Sequence, residues 1–92
     1  MIRVFIEFGK DKMKMKFPAD TRILYLEEYL KRLTKMAATE AVYLFRKDKR
    51  LLMTPSKTLG DYARAATPDE IKDGNPKGER VLILIVRKTD NF

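Results

Sequence analysis

The sequence predicts an α+β domain in which one main helix covers one face of a mixed four- to five-stranded sheet. Three observations carry that expectation. Residues 2–17 alternate apolar and polar through two runs parted by a turn. Residues 23–33 place large apolar side chains at helical spacing, and residues 81–86 are apolar without a break. The chain has 92 residues, one domain's worth. Residues 1–92 are therefore read as a single unit, with an enlarged surface loop at 65–80 and a tail at 89–92.

Ile2, Val4, Ile6 and Phe8 alternate with Arg3, Phe5 and Glu7, which makes a strand with one fully apolar face. Gly9-Lys10-Asp11 signals a turn. Met13, Met15 and Phe17 then alternate with Lys12, Lys14 and Lys16, and the two strands close into a hairpin whose apolar face must be covered. Asp20 or Thr21 offers a helix cap. From there Ile23, Leu26, Leu30 and Leu33 form a stripe, flanked by Tyr29 and Met36, that can cover the hairpin. Glu27–Lys31 and Glu28–Arg32 are acid-first pairs one turn apart on the solvent side. Glu27 and Glu28 point about 100° apart on a helix, so they read as a solvated ion-pair face and not as paired catalytic carboxylates.

Val42 to Phe45 reads as a short strand, residues 46–50 as a charged turn, and Leu51-Leu52-Met53 as a brief strand before Pro55. Thr58 with Asp61 three residues on is a capping-box variant that opens a short helical turn. Leu59 and Tyr62 share one side of that turn, so the stretch LLMTPSKTLGDY reads as a connector dropping apolar side chains onto the end of the core. The segment AATPDEIKDGNPKGER, residues 65–80, combines proline, glycine and mixed charge and reads as a flexible surface loop. Val81 to Val86 lacks alternation and has the character of a central strand.

Composition narrows the function classes. The chain has no cysteine and no histidine. It therefore lacks disulfides, thiolate metal sites, the commonest general base and every Ser–His or Cys–His nucleophile. No glycine-rich phosphate loop or spaced carboxylate cluster appears, so neither an enzyme nor a bound metal or cofactor is expected. No apolar run approaches the ~18 residues of a membrane span, and the N-terminus does not resemble a signal peptide. An intracellular protein, cytoplasmic or nuclear, is the expectation. The net charge of +7 favours acidic proteins, nucleic acid or anionic surfaces as partners.

The order of elements, with Thr58, Leu59, Asp61 and Tyr62 filling a Thr-Leu-x-Asp-Tyr pattern, resembles the ubiquitin-like β-grasp superfamily over residues 1–88. Met13, Met15 and Phe17 match the inward positions of its second strand, and Ile23, Leu26 and Leu30 match its helix core. Two narrower resemblances stand within it. Val4-Phe5, Lys47-Asp48, Leu51-Leu52, Lys57-Thr58-Leu59-Gly60, the loop 65–80 and Asp90-Asn91-Phe92 are similar to the pattern of elongin B, a non-conjugated adaptor subunit. Thr54-Pro55 adds length to that pattern, and a long acidic tail is absent. Pro55-Ser56-Lys57-Thr58 resembles the ubiquitin-fold and autophagy modifiers. Those modifiers need a C-terminal glycine, and this chain ends Thr-Asp-Asn-Phe.

The resemblance implies a non-catalytic protein–protein interaction module that binds through the sheet face opposite the helix. Alternation sends Arg3, Phe5, Glu7, Lys12, Lys14 and Lys16 to that face, together with one of two sets from the last strand and one of the pairs Tyr43/Phe45 or Val42/Leu44. The expected contact residues are Phe5, Leu44, Phe45, Leu82 and Leu84, with Lys12, Lys14, Arg46 and Lys49 as a steering rim. Two other readings stay open: a covalent modifier whose native chain continues to a glycine, and an RNA-binding basic face.

Overall fold

The computed structural model describes residues 1–35, 41–48 and 50–88. Met36, Lys49 and the tail 89–92 lie outside the described residues. The chain begins with the expected hairpin, β1 (Ile2–Phe8) and β2 (Asp11–Phe17), paired antiparallel from Ile2↔Phe17 to Phe8↔Asp11. Gly9, at φ +59°, takes the first place of the two-residue turn, where a left-handed backbone costs glycine nothing.

Helix α1 (Ile23–Leu33) follows. Its N-cap is Arg22 and makes no side-chain cap, so neither Asp20 nor Thr21 plays that part. The backbone ahead of it is engaged elsewhere. Leu59 donates its N–H to Thr21 O and Gly60 donates to Ala19 O, both at 2.8 Å. The first helical amides then find the connector: Ile23 donates to Lys57 O at 2.9 Å and Leu24 to Pro55 O at 3.0 Å. The proline-containing stretch that interrupts the sequence pattern thus caps the main helix with its carbonyls, satisfying donors a helix start leaves orphaned. Ile23, Leu26 and Leu30 are buried, but Leu33 is 46% exposed and falls outside the stripe. Half-burial pushes the Glu27 carboxyl above its ordinary range, against the pull of Lys31 one turn on.

The chain returns through β3 (Val42–Arg46), β4 (Leu51–Leu52) and the single turn α2 (Leu59–Tyr62). The Asp61 carboxylate accepts from the Thr58 N–H at 2.9 Å and from its hydroxyl at 3.2 Å, which fixes the entry to α2 as expected. Tyr62 is buried, and its hydroxyl oxygen accepts from the Thr54 N–H at 2.7 Å, pinning the start of the connector. Gly60 sits against Ala19 so closely that an added Cβ would lie 3.1 Å from the Ala19 carbonyl oxygen.

Residues 65–80, read from the sequence as a flexible surface loop, contain regular structure of their own. They carry a further helical turn, α3 (Pro68–Lys72), with Pro68 at its start and Thr67 as N-cap. Glu70 N donates to Thr67 Oγ1 at 3.2 Å, and the Glu70 carboxylate accepts from the Thr67 N–H at 2.8 Å. The last strand, β5 (Arg80–Lys88), lies in the middle of a five-stranded sheet of order β2-β1-β5-β3-β4. It runs parallel to β1 and antiparallel to β3. The main helix covers one face, and between the two layers lies a core of Ile2, Val4, Ile6, Leu26, Leu30, Leu44, Leu82, Leu84 and their neighbours. The α+β architecture, with one main helix on a mixed sheet, is the one the sequence predicts.

Candidate functional site on the open sheet face

Cross-strand register decides which side chains share the uncovered face. Phe5 is paired with Lys14 on one side and Ile83 on the other. Glu7 is paired with Lys12 and Ile85, and Ile85 in turn with Phe45, which faces Leu52 of β4. Tyr43 stands opposite Arg87. The outward set of β5 is therefore Val81, Ile83 and Ile85, and that of β3 is Tyr43 and Phe45.

This corrects three of the expected contact residues. Leu44 and Leu84 are 0% exposed and Leu82 is 1% exposed, because their strand parity turns them under α1 into the core. They cannot reach a partner. Phe5 and Phe45 are half-buried on the open face, and Lys12 and Lys14 are exposed at its β2 edge, as expected. Arg46 lies at the end of β3 with its Nε 2.9 Å from the Asp48 carboxylate, and it donates from a guanidinium nitrogen to Tyr62 O at 3.2 Å. It holds α2 to the sheet more than it faces outward. Lys49 is outside the described residues. Of the two sets the sequence leaves open for the last strand, the one with Ile83 and Ile85 shares this face, and Leu52 joins it unforeseen. Leu52, half exposed on a two-residue strand, is legible only through its register with Phe45.

The face is thus an apolar band of Phe5, Ile83, Ile85, Phe45 and Leu52, with basic residues concentrated toward β2. Three shallow hollows share Ile83. One, of about 320 Å³, runs between Phe5, Lys12, Lys14 and Lys47. Some of the charge is internally matched. Lys47 pairs with Glu7 across the face, and the hydrogen bond from its ammonium draws the Glu7 carboxyl below its ordinary range. Lys12 and Lys14 make no ion pair within 4 Å among the described residues. Lys14 and Arg3 instead lie over the Phe5 ring, 5.9 and 5.8 Å from its centre. Among the described residues, Lys12, Lys14 and Arg87 are exposed cations of this face outside any ion pair.

Segment 65–80 closes one end of the face. Arg64 and Val81 exchange backbone hydrogen bonds at 2.9 and 2.8 Å, and Val81, outward by parity, is completely buried. The Arg64 guanidinium grips the Glu70 carboxylate through two bonds of 2.7 and 2.9 Å. Together with the Thr67 amide it holds the Glu70 carboxyl down at about 2. A depressed carboxyl stabilises the fold above its unfolded value near 4.5, and that contribution fades as pH falls toward 2. The expected result is a melting temperature that declines between about pH 4.5 and 2. Glu70→Gln should remove part of that decline while lowering the plateau slightly, the pair being partly exposed. An identical acid limb in the variant would show that Glu70 carries none of it.

A second exposed apolar group lies on α1, where Tyr25 stacks on Tyr29 at 6.5 Å and Tyr29 meets Phe17 edge-on at 6.0 Å. Among the described residues no cluster of three metal-ligating side chains occurs, and no helix is long and apolar enough to cross a membrane.

No family model matches the chain, and no curated protein matches it. Solved structures do. ATG8 of Trypanosoma brucei superposes with a TM-score of 0.66 at 12% identity, over 96% of this chain and 72% of that one. A structure described as molecular mimicry of SUMO that promotes DNA repair gives 0.58 at 11% identity, over 94% and 89%. The N-terminal ubiquitin-like domain of the 4931431F19Rik protein gives 0.56 at 13% identity, over 94% and 74%. ATBAG1, solved in complex with HSP70, gives 0.55 at 20% identity, with 92% of this chain covering 40% of that one. At these identities the likeness shows the fold, and the chain has the ubiquitin-like β-grasp fold. The narrower likeness to elongin B rests on the sequence motif alone.

Proposed function

We propose that this domain is a non-catalytic protein-interaction module whose open sheet face docks a protein carrying an apolar contact flanked by acidic residues. The observation that supports it is the register-defined band of Phe5, Ile83, Ile85, Phe45 and Leu52, left uncovered and bordered by Lys12 and Lys14. An apolar patch with a charged rim is the anatomy of a docking surface. The distribution is directional. The band runs toward the β4 edge, Lys12 and Lys14 lie at the β2 edge, and exposed Arg87 stands beside Tyr43 toward the end of β5, so the partner's acidic residues would sit over these cations. Among solved structures of the same fold, ATBAG1 was captured with a protein partner, HSP70.

An acidic protein fits the face better than RNA does. A base-stacking platform uses several free aromatic faces, and of the aromatics on this face Phe5 already lies under Arg3 and Lys14. The test is affinity capture with the intact domain and with Phe45→Asp as matched baits. Partners retained by the intact domain should be lost by Phe45→Asp at unchanged fold. Lys12→Glu with Lys14→Glu should slow association and flatten its salt dependence. Equal capture by intact and Phe45→Asp baits would remove the open face from the interaction.

A further inference from the structure

The open face is already occupied at one end by an acidic segment of the chain itself. Residues 66–79 leave the sheet and return to it at a single point, where Arg64 and Val81 pair backbone to backbone. In between, the segment leans back over the face. Arg3 donates to Gly74 O at 3.3 Å and to Asn75 Oδ1 at 3.2 Å. Lys16 pairs with Glu79 at 3.3 Å. Asn75, 5% exposed, donates from its amide to Pro76 O and Glu79 O, which holds the segment in the shape that makes these contacts. A hollow of about 260 Å³ separates its Glu70 and Asp73 from Phe5, Lys14 and Ile83 of the sheet.

We propose that segment 66–79 is a built-in competitor for the open face, seated on Arg3 and Lys16 at one end of the basic strip that Lys14 and Lys12 continue and that an acidic segment of a partner protein would take. The proposal rests on the open-face reading above and adds its regulation. Two features argue for a competitor and against a permanent second core layer. The fastenings to the sheet are polar and few, and of them the Lys16–Glu79 pair is partly exposed, the kind of ion pair that is individually weak. The seat is also incomplete, because the hollow leaves Lys14 and Phe5 within the partner's reach. A ligand whose site is free only about a tenth of the time binds about tenfold more weakly than its intrinsic affinity.

The paired ends of the segment make the test direct. Because Arg64 and Val81 are held together by their own backbone bonds, residues 66–79 can be replaced by a short Gly-Ser linker without moving β5. The probe is a fluorescein-labelled synthetic peptide of residues 66–80. The excised variant should bind it about tenfold more tightly than the intact protein. Binding should weaken as salt is raised, with NMR shifts at Phe5, Lys14 and Ile83. Equal affinity in the two proteins, or no binding by the excised variant, would overturn the proposal. If excision unfolds the domain, Asn75→Ala with Glu79→Gln in the full chain serves instead. Those changes should tighten peptide binding several-fold and speed amide exchange in 67–79, and no change in affinity would overturn the proposal. Failure of the open-face reading shows elsewhere, as partner capture unaffected by Phe45→Asp.

Discussion

Leu44→Asp is expected to unfold the domain, and Phe45→Asp, one residue along the same strand, to leave it folded. Leu44 is 0% exposed between the sheet and α1. The substitution removes a core leucine, a loss of about 2–5 kcal/mol. It also buries a carboxylate with no partner, which adds several kcal/mol more. The sum rivals the whole stability of a small domain, about 5–15 kcal/mol. Phe45 lies on the other side of the strand with Ile85 and Leu52, half in solvent, where a new carboxylate keeps its water. Its loss should cost about 1–2 kcal/mol. Circular dichroism melts of both variants check the pair. If both unfold, the outer face is a second core layer. If both fold, the parity of β3 is wrong.

Tyr62 is expected to be the most sensitive position outside the two main layers. It is buried, and its hydroxyl oxygen is the acceptor for the Thr54 N–H. Tyr62→Phe keeps the ring and leaves that amide without its acceptor, a cost of about 1–3 kcal/mol. Tyr62→Ala also empties the ring's space, and large-to-small aromatic changes cost about 3–5 kcal/mol. The loss should spread. The connector that Tyr62 pins supplies the carbonyls of Lys57 and Pro55 to the first amides of α1. Hydrogen exchange should therefore speed up at Ile23 and Leu24 in Tyr62→Phe, well before the global transition in urea. Unchanged protection at those two amides would show that the connector does not cap the helix.

Much of this architecture is legible in the residues. Alternation in 2–17 specifies both strands of the hairpin and their inward faces, because one side of each meets the core and the other meets water. Thr58 and Asp61 are readable because a capping box is a local device. The parity of β5 is not readable. Val81 to Val86 is apolar on both faces, since Leu82, Leu84 and Val86 join the core under α1 while Val81 is paired with Arg64 at the root of the segment that leans over the face. With no polar residue to mark the outward side, either set could face the helix, and Leu82 and Leu84 fell on the wrong one. The same segment carries its own local signal. Thr67-Pro68-Asp69-Glu70 is a capping box with proline at the first helical position, hidden beside turn formers that suggest disorder. The start of α1 escaped for a third reason. Asp20 and Thr21 are good cap residues, but long-range pairing with residues 59–60 claims the backbone there and moves the helix start to Ile23.

On the function proposed above, a partner docks on the open sheet face. Hydrogen exchange of the backbone amides, with and without a captured partner, tests it most directly. Added protection is expected to concentrate on the amides of Phe5, Lys14, Phe45, Leu52 and Ile83. Protection concentrated instead on α1, around Tyr25, Tyr29 and Leu33, with the sheet face unchanged, would contradict it.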